Sequence, residues 1–324
     1  MINLSAETPK RSDRAIVLSD DEKFSPNAFA LIKQMVDHLP ELDADFCLVS
    51  EAPIAVPQQL SYLPIRYCHI AIAKDGIQFP VTEQLTFATY LRLFAVTALA
   101  HDYERIVYFD SDFFYARGDV TVLFDMPLCA GDAIGAVRDI PQQLDLDACP
   151  REATALGLAT FPYFNAGLMV VDTKAWLAQD IFARALKIIK DTPAAIVYHD
   201  QSAVNLVLQG QWAELSYHWN FLYSRRLHLP MRILRPAFLH FVGPGKPWFR
   251  DPPFVPSEAV TWYTSFLATY YPDLVPPRYD QTDPIKSFYA LRLIKYGIRS
   301  ARERRPYFRR LLGARNQAIA PKVT

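Results

Sequence analysis

Arg105-Ile-Val-Tyr-Phe109, followed at once by Asp110-Ser111-Asp112, is the stretch from which the fold of this chain is read. Its unbroken apolar run predicts a strand buried on both faces, as found inside a parallel sheet covered by helices. Two carboxylates one residue apart then stand at the carboxyl end of that strand, the edge at which open α/β sheets bind ligands. Such a pair suits a divalent cation. Asp43 to Asp45 and Asp145 to Asp147 repeat the spacing, and an Asp-rich chain of this length holds roughly two such triplets by chance. Strand context is what sets Asp110 apart.

Working outward, Ala15-Ile-Val-Leu-Ser19 predicts a first strand, and Pro26 opens a helix with Phe29, Ile32 and Val36 at helical spacing. Asp45 to Val49 and Ile65 to Ile70 predict further strands, and Thr86 to Leu99 a helix feeding the strand at Arg105. Ala133 to Val137 and Gly167 to Val171 continue the sheet, separated by a segment rich in Pro, Gln and Asp that reads as an acceptor-side loop. Asp180 to Lys190, Asp200 to Leu208 and Ser257 to Thr269 read as helices. The alternation predicts an α/β chain with a mostly parallel central sheet and helices on both faces.

The chain has 324 residues, 51% of them hydrophobic, enough for a sizeable core. Residues 1–14 read as an N-terminal extension, 15–271 as the globular domain, 272–284 as a linker marked by Pro272, Pro276, Pro277 and Pro284, and 285–324 as a tail. Cys47, Cys68, Cys129 and Cys149 have no Cys-x-x-Cys spacing, so scattered thiols are expected, with room for one bridge. No signal peptide and no apolar stretch long enough for a spanning helix is read, which gives a cytoplasmic address.

Net charge is zero only by cancellation, because residues 286–315 hold ten Lys or Arg against one acid, Glu303. Arg292, Lys295, Arg299 and Arg302 fall on one helical stripe beside Leu291, Leu293, Ile294, Tyr296 and Ile298, a basic amphipathic pattern suited to an anionic membrane surface. The expectation is peripheral attachment to the inner face of the cytoplasmic membrane. Nucleic acid is not expected as a partner, since no base-reading motif accompanies the charges.

Three later segments join the acidic triplet: Phe164-Asn-Ala-Gly-Leu-Met-Val-Val-Asp172, Asp200-Gln-Ser-Ala-Val-Asn205 and His240-Phe-Val-Gly-Pro-Gly-Lys-Pro-Trp248. Together they resemble glycosyltransferase family 8, in particular its bacterial lipopolysaccharide α-galactosyl- and α-glucosyltransferases. The resemblance runs from Ala15 to about Trp248. It implies the GT-A nucleotide-diphospho-sugar transferase fold and transfer of a galactose or glucose from a UDP-hexose, with retention, to a glycan or lipid-linked oligosaccharide such as lipopolysaccharide core.

The same resemblance implies a metal held by Asp110, Asp112 and His240, with Mn²⁺ expected and Mg²⁺ possible for oxygen ligands plus one imidazole. For the donor it points to Asp21 (or Asp20 in a shifted register) and Phe24 at the uracil, Tyr90 and Arg92 on the helix before the metal strand, Ser111, Asn165, and Gly243 with Lys246 as a diphosphate clamp. Asp139, Asn165, Ala166, Gly167, Asp200 and Gln201 would line the sugar and acceptor side, Gly167 letting the chain pass close to the sugar. Asp200 and Gln201 would act where charge develops. An amide is a poor nucleophile, so front-face transfer with Gln201 stabilising positive charge is favoured over double displacement.

Two other classes remain to be weighed. A nucleotidyltransferase would need a Gly-rich loop after the first strand, and Ser19-Asp-Asp-Glu-Lys-Phe24 has no glycine. A catalytically inactive nucleotide-sugar or glycan-binding module would have lost part of the acidic, His and Lys set, all of which is present.

Overall fold

The computed structural model describes residues 2–73, 76–81, 87–223, 231–232, 234–243, 245–248 and 255–274. The linker beyond Leu274 and the basic tail lie outside the described residues. Strands are β1 (Ile2–Ala6), β2 (Arg14–Ser19), β3 (Asp45–Ser50), β4 (Ile65–Ile72), β5 (Arg105–Phe109), β6 (Phe113–Tyr115), β7 (Ile134–Arg138), β8 (Phe164–Asp172), β9 (Ala213–Glu214), β10 (Phe221–Leu222) and β11 (Phe238–His240). Helices are α1 (Ser25–His38), α2 (Leu91–Leu99), α3 (Thr121–Phe124), α4 (Ile140–Leu144), α5 (Arg151–Ala155), α6 (Thr173–Ala178), α7 (Ile181–Asp191), α8 (His199–Leu208) and α9 (Ser257–Tyr270).

Eight strands form the main sheet in the order β1-β4-β3-β2-β5-β8-β7-β9. β2, β3, β4 and β5 run parallel, and β8 enters antiparallel to both β5 and β7. Successive residues of the central strands feed opposite layers, as the two-residue period of a strand requires. Ile16, Leu18, Phe46, Leu48, Val107 and Phe109 pack on α1 and α9, while Ala15, Val17, Cys47, Val49, Ile106 and Tyr108 pack under α2, α6, α7 and α8. Both faces are covered, which is why the Arg105 stretch reads as a continuous apolar run.

Residues 2–6, expected to be an extension, instead pair antiparallel with β4 as an edge strand. Ile2, Leu4 and Ala6 alternate with Asn3 and Ser5 there, a signal too short to separate from a tail. The segment expected as an irregular acceptor-side loop holds α4 and α5. These are organised by buried polar groups, not by apolar periodicity: Gln142 donates to Ala148 O at 2.9 Å and Phe161 O at 2.8 Å, and Glu152 is 1% exposed. All four cysteines are free. Among the described residues no helix is long and apolar enough to cross a membrane.

Candidate active site

The parallel strands β2 and β5 end together at one edge, which places Asp20 beside the Asp110–Asp112 turn; Ser111 Oγ donates to Asp20 Oδ1 at 3.3 Å. A second, three-stranded sheet, β10-β11-β6, closes on that edge. Within it His240 is registered opposite Phe113, the residue after Asp112, and the two rings stack at 4.3 Å. Phe241 N–H also donates to Asp112 O at 3.0 Å. A residue 128 positions downstream of Asp112 is thus delivered to it by backbone pairing, through strands too short to announce themselves in sequence.

Asp110, Asp112 and His240 offer ligand atoms that all lie within 4.8 Å of one another. His240 Nε2 is 3.0 Å from Asp112 Oδ1 and 4.0 Å from Asp110 Oδ2. Despite the short separation, Asp112 Oδ1 is buried and has no hydrogen-bond partner among the described residues. An orphaned carboxylate oxygen next to an imidazole nitrogen fits a divalent cation taking oxygen ligands and one nitrogen. Burial works to raise the Asp112 carboxyl, but His240 and Lys246 outweigh it and hold the group below the usual carboxylate range. Burial prevails at Asp110, which is raised.

β8 bends as it passes the site. Its register with β7 jumps from Ala136–Met169 to Val137–Asn165, so Ala166, Gly167 and Leu168 bulge out of that ladder. Gly167 O accepts the Asp110 N–H at 2.8 Å, and a Cβ at Gly167 would stand 2.3 Å from His240 Cε1. The glycine therefore makes room for the His240 ring.

Arg92 and Tyr90, expected on the donor side, have their side chains engaged within the protein. Arg92 Nε and Nη2 grip Asp200 at 2.6 and 2.9 Å, and Nη1 donates to Asp110 Oδ1 at 2.8 Å and Ala166 O at 2.7 Å. Four of its five N–H donors are engaged inside the protein, so Arg92 joins β5, β8 and α8. Asp200, 2% exposed, is its partner. Tyr90 is fully buried with its hydroxyl on Pro80 O at 2.9 Å, and its ring meets Phe79 and His199.

Gln201 Oε1 accepts from Ala166 N–H at 3.0 Å and from Asn165 Nδ2 at 3.4 Å, so its carbonyl faces the β8 bulge. α8 begins at His199 in the left-handed region, φ 51°, which is strained for a residue with a Cβ. Asp139 lies beside Asn165, and burial raises its carboxyl against the pull of Ile140 N–H and Asn165. Lys246 is folded back by the turn at Gly243, φ 82°, and its ammonium reaches Asp112 Oδ2 at 2.5 Å and Phe241 O. Asp21 and Phe24 lie apart from this network, on the turn after β2, where Asp21 Oδ1 accepts Phe24 N–H at 3.1 Å.

Two more residues enter the site: Asp20, expected only as a shifted-register alternative to Asp21, and Asn220, which was not singled out. Asp20 is 8% exposed, with Oδ2 unpartnered among the described residues, and burial raises its carboxyl. Asn220 is wholly buried between Asn165 and His240. No local pattern marks Asn220, whose partners lie 55 and 20 residues away.

Comparison with known proteins agrees with this geometry. General stress protein A of Bacillus subtilis is 30% identical over 206 residues, covering 56% of this chain and 69% of that protein. The lipopolysaccharide 1,3-galactosyltransferase of Salmonella typhimurium is 26% identical, covering 52% of this chain, and the lipopolysaccharide 1,2-glucosyltransferase of Escherichia coli is 27% identical, covering 55%. This chain spans about half the length of those two enzymes, 51% and 54%. The galactosyltransferase LgtC, solved with donor and acceptor sugar analogues, superposes with a TM-score of 0.62 at 22% identity, over 79% of this chain and 96% of LgtC. That likeness establishes the GT-A architecture. The sequence profile of glycosyl transferase family 8 matches residues 15–251, the span that holds both sheets apart from the edge strand β1 and the first residue of β2, with the acidic edge between them, and the chain belongs to that family.

Proposed function

We propose that this protein transfers a galactose or glucose from a UDP-hexose to a hydroxyl of a lipopolysaccharide-type glycan, with retention of configuration. The observation that carries the proposal is the cluster of Asp110, Asp112 and His240, closed on one side by Lys246 and built around an unpartnered Asp112 oxygen. A divalent cation bound there, Mn²⁺ or Mg²⁺, supplies Lewis-acid stabilisation of the departing diphosphate. Lys246 exchanges Asp112 Oδ2 for a diphosphate oxygen as the donor enters. Asp21 and Phe24 take the uracil by a carboxylate hydrogen bond and an aromatic face.

Asp139, Asn165 and the Ala166–Gly167 bulge offer the short polar groups and backbone that a hexose's hydroxyls require. Asp200 and Gln201 hold that bulge in place from α8. With both Gln201 lone pairs turned to N–H donors, no free carboxylate or amide oxygen of this pair stands as a nucleophile. Front-face transfer follows: the acceptor oxygen bonds to the anomeric carbon as the anomeric carbon–phosphate oxygen bond breaks, and the acceptor proton passes to a phosphate oxygen.

Incubation with UDP-galactose or UDP-glucose, Mn²⁺ and truncated lipopolysaccharide cores tests the reading by product. An α-glycoside and free UDP are expected; a nucleotide-sugar product, or donor binding without turnover, would replace it with a nucleotidyltransferase or a binding module. We also propose that the basic tail from residue 285 brings the enzyme to the anionic membrane surface where a lipid-linked acceptor lies. Sedimentation with anionic vesicles, lost on truncation after Pro284, is the expected result; equal sedimentation of the truncated protein would refute it.

A further inference from the structure

Asn220 is fully buried just before β10, and its side chain bridges two residues of the site. Its Nδ2 donates to Asn165 Oδ1 at 3.0 Å, and its Oδ1 faces His240 Nδ1 at 3.0 Å. The two ends of an amide are ordinarily hard to tell apart, but here the polarity is set by backbone. Gly167 N–H, which can only donate, reaches Asn165 Oδ1 at 3.1 Å. Asn220 must therefore present its NH₂ to that oxygen and its carbonyl to the imidazole, so Nδ1 carries the proton of neutral His240. Nε2 is left with its lone pair, 3.0 Å from the orphaned Asp112 Oδ1.

We propose that Asn220 is a positioning residue that fixes the His240 tautomer, through a relay starting at Gly167 N–H, so that Nε2 is presented as a ligand to a divalent cation. The inference rests on the cation reading given above. The opposite tautomer would put an Nε2–H against Asp112 Oδ1 and close the site by an internal hydrogen bond. Gly167 serves the relay twice, since its N–H sets the polarity and its missing Cβ admits the ring that the polarity acts on. Hydrogen-bond partners of this kind behind a ligating histidine fix both ring orientation and tautomer.

The test compares Asn220→Leu, which removes the acceptor at similar volume, with Asn220→Asp, which keeps one for Nδ1–H. Calorimetric titration of the folded full-length proteins with Mn²⁺ should show affinity about 10–100-fold weaker for the Leu variant and within about threefold of wild type for the Asp variant. Independently, ¹⁵N spectra of the metal-free wild type at alkaline pH should show His240 protonated on Nδ1. A packing role alone would lower the melting temperature of both variants and leave their Mn²⁺ affinity unchanged, which overturns the proposal, as does an Nε2–H signal in the wild type. Should the Leu variant not fold, the wild-type tautomer and the Asp variant decide. Failure of the wild type to bind Mn²⁺ would refute the cation reading, and the tautomer, read without metal, would still decide the role of Asn220.

Discussion

At the proposed cation end of the site, Arg92, Asn165, Asp200, Asn220 and His240 are each under 10% exposed and hydrogen-bonded to one another or to Asp110, whereas at the proposed nucleoside end Phe24 is 38% exposed on a turn. The difference follows from what each end has to do. In the proposed reaction charge builds up where the diphosphate leaves, and dipoles already oriented there would stabilise it without reorganising. A uracil is a flat, neutral group that one aromatic face and one carboxylate can hold after it lands. A rigid end should therefore govern turnover and stability, and an open end donor affinity.

The largest effect is expected at the cation cluster. Several kcal/mol of leaving-group stabilisation corresponds to about 10³-fold in rate, so Asp112→Ala and His240→Ala should each reduce kcat for transfer by that order, with an excess of chelator copying them. Asp112→Ala should leave the protein folded, because Asp112 is half-buried at a sheet edge, whereas His240 is buried against Phe113, so a melting curve of His240→Ala separates lost transfer from lost stability. Full activity in excess chelator would break the comparison at its root.

Arg92→Ala should be the most damaging to stability. It strands Asp200, whose side chain is 2% exposed, and removing one partner of such a buried pair costs about 3–5 kcal/mol. Thermal or denaturant unfolding measures it, and Arg92→Met combined with Asp200→Leu should recover part of the loss, since the apolar pair removes the buried Asp200 charge and leaves only the partly exposed Asp110 without its Arg92 contact. A single variant as stable as wild type would show that the rigid end owes its order to something other than this ion pair.

Gly167→Ala probes the same end more gently. The new Cβ would press on His240 Cε1, at 2.3 Å in the unrelaxed geometry, and the ring has little room to move between that carbon and Phe113. Weakening of Mn²⁺ binding by about tenfold is expected, with the lower end of the range for disturbed outer-shell contacts as the guide. Unchanged affinity would mean the ring shifts without losing its aim.

Much of this molecule is legible in its sequence, and the limits are physical. The apolar runs of β2, β3 and β5 and the Asp110–Asp112 turn at their shared edge can be read because a doubly covered sheet demands them. The His240 to Trp248 segment can be read because its chemistry is concentrated in nine residues. Arg92 was legible as a site residue but its partners were not, since nothing local marks Asp200 and Asp110, 108 and 18 residues away, as what a helix guanidinium holds. Asn220 was not legible: it acts across β10 and β11, strands of two and three residues, and its importance lies in which end of its amide faces which neighbour. Buried polar relays leave no periodicity behind.

The smallest effect is expected at the open end, and it decides whether the two ends are separable at all. Phe24→Ala removes an exposed ring whose stacking on a planar base is worth about 1 kcal/mol, or roughly fivefold in affinity. The change should appear in KM for the UDP-sugar, with kcat within about twofold of wild type, because an interaction kept equally in the bound and transition states does not alter turnover. Asp21→Ala should behave alike, with a little helix stability lost as well, since Asp21 Oδ1 also holds Phe24 N–H where α1 begins. Steady-state kinetics with saturating acceptor separates the outcomes. If Phe24→Ala lowered kcat as Asp112→Ala does, the nucleoside contact would be coupled to the cation end, and the division of labour between a rigid half and an open half would have to be given up.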